Sequence, residues 1–99
     1  MSQIPAASFK TRYFEDYCVG EVAEFGDYHI TSEEIIDFAK RYDPQLFHTD
    51  PEAAKQSSFG GLVASGWMSA GVLMRLLVEH YVSPLASMGS PGVDELRWH

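Results

Sequence analysis

Residues Ser65 to Tyr81 carry apolar side chains around almost the whole circumference of a helix. Trp67, Met68, Val72, Leu73, Met74, Leu76, Leu77, Val78 and Tyr81 leave no broad polar stripe. A helix apolar on every side must be buried on every side, so something has to wrap it. The chain has 99 residues, which limits it to one domain. The wrapping material is scarce. Tyr13 to Ile30 reads as an extended segment, a turn at Val19-Gly20, and a strand from Val22 to Ile30. Pro84 to Gly92 reads as a loop, and Val93 to His99 as the opening of another strand. An open sheet edge beside such a helix would be a liability. The expectation is therefore an α+β domain whose C-terminal strands are missing from this chain, or are supplied by other chains.

Composition narrows the function classes. Apolar residues make up 45% and charged residues 21%, as in an ordinary folded domain. The formal net charge of -7 argues against nucleic acid, whose phosphates need a basic face. Cys18 is the single cysteine, so no disulfide forms within the chain, which suits the cytoplasm. Residues 1–10 lack the charged-then-apolar pattern of a secretion signal. The longest apolar run, Leu62 to Leu77, contains Ser65, Ser69 and Arg75 and is too short to span a bilayer.

Local signals place the first helix. Thr31 and Glu34 form a capping box, and Ile30 with Ile35 forms a hydrophobic staple. Ile35, Phe38, Ala39 and Tyr42 follow helical spacing. Pro44 disfavours helical geometry at Asp43, so the helix stops there and Asp43 falls on irregular backbone. Asp50-Pro51-Glu52 starts a second helical turn, with proline at its first position. Ser57 to Gly61 is a small-residue loop.

Three residues have the chemistry of a reaction site. Asp43 and His48, five positions apart across a proline turn, are a carboxylate and an imidazole able to share one water. On spacing alone, a helix-ending Asp and a surface-loop His are the favoured account, because Asp and His recur by chance. Gly66 opens the apolar helix, where a free N–H and the helix dipole can hold a developing oxyanion. It also serves as a plain loop-to-helix junction. His48, Asp50 and Glu52 do not make a convincing metal set, because the Asp-Pro-Glu helix start breaks their alternation. No metal is expected. His29, His80 and His99 read as surface or strand residues. Arg41, Lys55, Arg75 and Arg97 are the cations available to phosphates.

The run Asp43-Pro44-Gln45-Leu46-Phe47-His48, then Asp50 to Ala54, then Gly66, resembles the hydratase motif of the MaoC-like dehydratases and R-specific enoyl-CoA hydratases. Tyr13 to Asp16 and Val19 to Glu21 resemble that family's entry to its first strand. The chain departs from the pattern at Gln45, Leu46 and the displaced Pro44. At Met74, eight residues past the glycine, some hydratases carry serine. The resemblance implies a hot-dog fold, an antiparallel sheet wrapped around a long central helix, over residues 13–99, with 1–12 as a lead-in. It implies hydration or dehydration of a trans-2-enoyl coenzyme A thioester, with Asp43 and His48 activating water and the Gly66 N–H holding the enolate oxygen. It implies no cofactor beyond the thioester substrate, and a homodimer or larger homo-oligomer. A thioesterase on the same fold, and an acyl-CoA-binding or structural subunit without activity, are the alternatives.

Overall fold

The computed structural model describes residues 8–99. Most of the expected lead-in lies outside them; its described part contains a 3₁₀ turn at Ser8–Thr11. Tyr28–Leu73 forms one compact unit. Met74–His99 and the described part of Met1–Asp27 form another.

In the first unit, α1 spans Ser32–Tyr42, α2 Leu46–Thr49 and α3 Pro51–Lys55, and α4 begins at Gly66. Thr31 caps α1: its hydroxyl accepts the Glu34 N–H at 3.2 Å. The Glu34 carboxylate accepts hydroxyl hydrogens from Thr31 and Tyr28. At the other end the Asp43 N–H closes the last turn on Ala39 O at 2.8 Å. Asp50 caps α3 by accepting the N–H groups of Glu52 and Ala53 at 3.0 and 3.3 Å, with Pro51 in the first turn as expected. Helix α2 was not predicted. It is a single turn in what reads as a loop, and it packs against both α1 and α3. Ala39 and Ala54 are fully buried, small side chains that let these short helices approach closely. Phe47 and Phe59 make a ring contact at 5.1 Å.

Helix α4 spans Gly66–His80, within one residue of the predicted ends. Its burial differs from the prediction. Met68 is its one buried residue, while Trp67 is 62% and Leu73 56% exposed. The cause lies in the strands. The 22–30 segment contributes only an isolated bridge residue at Val22 and is otherwise irregular, as is 93–99. Among the described residues no ladder pairs the N–H and C=O groups of either segment, and a strand without a paired neighbour builds no sheet. The expected sheet around α4 is thus not formed within them. No helix among them is long and apolar enough to cross a membrane.

The second unit is organised around aromatic residues and one arginine. Arg12 Nη2 meets Glu21 Oε1 and Oε2 at 2.8 and 3.0 Å and also donates to Asp16 O. Its guanidinium lies 4.0 Å from the centre of the Tyr17 ring. Tyr17 donates its hydroxyl to Tyr81 O at 3.2 Å, and Phe25 stacks on Tyr81 at 5.9 Å. Gly26 has φ +83°, and a Cβ there would lie 2.8 Å from Leu76 Cδ2. Glycine answers both the backbone and the space at that point.

Candidate active site

The site is assembled by a turn and a short helix. After α1 ends, the Gln45 N–H returns to Asp43 O at 2.8 Å, a three-residue γ-turn centred on Pro44. Proline's fixed φ suits that turn. The turn folds the Gln45 side chain back, so that its amide Nε2 donates to Asp43 Oδ1 at 2.7 Å. Helix α2 follows at once and carries His48.

His48 is buried, which rules out a surface loop position. Its Nδ1 lies 2.6 Å from Val63 O. A carbonyl only accepts, so Nδ1 carries the proton and the chemistry of the ring is left to Nε2. The Val63 N–H in turn donates to Phe47 O at 3.1 Å, which ties the approach to α4 to helix α2. His48 Nε2 is 3.3 Å from Asp43 Oδ2, with the two side chains 8% and 18% exposed. The Asp–His pair that spacing alone favoured as a helix end and a loop residue is instead a close pair in a largely buried setting.

Asp43 Oδ2 has another partner. The Ser65 hydroxyl donates to it at 2.8 Å and accepts the Trp67 N–H at 3.3 Å. Ser65 is fully buried. Two donors, Gln45 first and Ser65 second, together with the field of His48, hold the Asp43 carboxyl below the usual carboxylate range, against an opposing effect of burial. Asp43 therefore stays ionised through neutral pH.

Gly66 is the first residue of α4. Its N–H is one of the four that an α-helix leaves without an internal partner. Ser65 precedes it in the chain and Val63 lies three residues before it, so the segment that holds Asp43 and His48 leads directly into this helix start. Arg41 makes no contact that enters this geometry, but with Asp37, Phe38, Lys40 and Tyr42 it lines a cavity of about 490 Å³ on the C-terminal half of the same helix, α1. The sequence reading passed over Gln45 and Ser65 as partners of Asp43. Gln45 stood out there only as a departure from a motif.

The sequence pattern of the family described as "MaoC like domain" matches residues 16–97. The crystal structure of a MaoC-like dehydratase from Rhodospirillum rubrum is similar at 42% identity with a TM-score of 0.60, over 71% of this chain and 48% of that one. An uncharacterized protein of Bacillus subtilis strain 168, YdeM, is 29% identical over 65 residues, 66% of this chain and 46% of its own length. The chain spans about half the length of these relatives.

Proposed function

Because this chain belongs to the MaoC-like domain family, whose dehydratase members imply a hydro-lyase in general, we propose that it adds water reversibly to a trans-2-enoyl coenzyme A thioester. The observation that carries this reading is the close pair of half-buried Asp43 and buried His48, 3.3 Å from Oδ2 to Nε2, with the His48 tautomer fixed by Val63 O.

In this mechanism Asp43 and His48 Nε2 hold one water between them. The pair takes one proton as the water oxygen bonds to the β-carbon, and a proton is returned to the α-carbon. Atoms balance without oxidant or reductant. The carbonyl oxygen gains negative charge as the enolate forms, and the Gly66 N–H at the start of α4 meets it. The low pKa of Asp43 keeps the pair ready at neutral pH. Lys40 and Arg41, beside the cavity on α1, would receive phosphates of the coenzyme. This reading takes α4 as the central helix of a hot-dog fold. The fold's antiparallel sheet and a second copy in a homodimer would cover apolar residues such as Trp67 and Leu73.

Crotonyl-CoA separates this from the alternatives. Hydration removes the enoyl absorbance and releases no thiol. Thiol release with the enoyl absorbance retained would make the protein a thioesterase. Tight binding with neither change would make it a binding subunit.

A further inference from the structure

We propose that Ser65, together with Gln45, is a positioning residue that clamps the Asp43 carboxylate against the start of α4. The proposal rests on the hydration reading above and names residues of the same site. Ser65 Oγ accepts the Trp67 N–H at 3.3 Å and donates to Asp43 Oδ2 at 2.8 Å. A hydroxyl has a single proton, and here it is spent on the carboxylate. An N-cap needs only to accept, so capping alone does not account for the second bond.

The result is a relay, Trp67 N–H to Ser65 O–H to Asp43, running from the positive end of the helix dipole to a negative charge. Gln45 Nε2 holds the opposite oxygen at 2.7 Å. With both oxygens held, the carboxylate cannot rotate about its bond to Cβ, and Oδ2 stays turned toward His48 Nε2 at 3.3 Å. The segment that delivers the hydroxyl is the one that leads into Gly66. The clamp therefore links the water-activating pair to the oxyanion donor through a single residue. Both donors favour the ionised carboxyl, so losing either should let Asp43 take up a proton at higher pH.

The test uses Ser65→Gly and Gln45→Leu in the full chain, assayed for crotonyl-CoA hydration across pH. Glycine is tolerated as an N-cap at little cost, so Ser65→Gly removes the hydroxyl and keeps the helix start; Gln45 is exposed and its replacement leaves packing intact. A bond to a charged group is lost in each. The expected result is a fall in kcat of about 10- to 100-fold for Ser65→Gly, with KM within about twofold. In both variants the acid limb of kcat/KM moves to higher pH. Wild-type kcat and an unmoved acid limb in Ser65→Gly, in a preparation where Asp43→Asn is inactive, would overturn the clamp and leave the hydration reading standing. A wild-type protein without hydration activity would overturn the hydration reading, and the clamp's catalytic role with it.

Discussion

Replacing Asp43 by asparagine tests the site most sharply, because the structure separates what the change does to the fold from what it does to the chemistry. Asp43 receives Gln45 Nε2 on Oδ1 at 2.7 Å and Ser65 Oγ on Oδ2 at 2.8 Å. Asparagine can keep its oxygen where Oδ2 was, facing Ser65. Its amide nitrogen then faces Gln45, whose exposed side chain can turn its own oxygen inward. Both hydrogen bonds survive in that arrangement and the negative charge does not. The melting midpoint should therefore stay within about 5 °C of wild type. Proton transfer by a positioned group is worth about 10²–10⁴-fold, and kcat for crotonyl-CoA hydration should fall by that factor. The assay is loss of enoyl absorbance, with the melt followed by circular dichroism on the same preparation. Activity within about twofold of wild type in a folded Asp43→Asn protein would refute the assignment of Asp43. A collapse of the melting midpoint would instead refute the account of its hydrogen bonds.

Three further outcomes are expected. Replacing Lys40 and Arg41 by alanine should raise KM for crotonyl-CoA roughly two- to fivefold, the scale of exposed charge pairs, and leave KM for a short N-acetylcysteamine thioester unchanged. Glu21 and Glu34 are held below the usual carboxylate range, by Arg12 and by the Tyr28 hydroxyl respectively. Each contributes stability above the ordinary glutamate range and loses it as pH falls through its lowered folded value; urea midpoints should decline on acidification, and less steeply in Glu21→Gln and Glu34→Gln. Thr31→Ala removes the cap on Glu34 N–H and should cost about 1 kcal/mol by urea denaturation.

The helix ends of the first unit were legible because their causes are local. Thr31 with Glu34, Pro44 after Asp43, and Asp50 before Pro51 each act within a few residues. The helices start and stop where these signals put them, although the Glu34 carboxylate meets the Thr31 hydroxyl rather than closing a capping box on the Thr31 N–H. The ends of α4 were legible from its apolar run. Its burial was not, because burial depends on strand pairing, and pairing is set by contacts far apart in sequence that the described residues do not make. His48 followed the same logic: the hydrogen bond that fixes its ring reaches Val63, fifteen residues away. Helix α2 was missed because one turn of four residues has no periodicity to read. Gln45 entered the site through a γ-turn that a motif comparison does not reveal. Ser65 entered through a bond across 22 positions, and only its place beside Gly66 could have singled it out.

The central claim is that Asp43 and His48 add a water molecule to an enoyl thioester. Incubating the chain with crotonyl-CoA in heavy-oxygen water, with mass spectrometry of the product, tests it directly. The account predicts an intact thioester bearing a 3-hydroxyl group that contains the solvent's heavy oxygen. Heavy oxygen in a released carboxylic acid, or recovery of crotonyl-CoA unlabelled and unchanged, would contradict it.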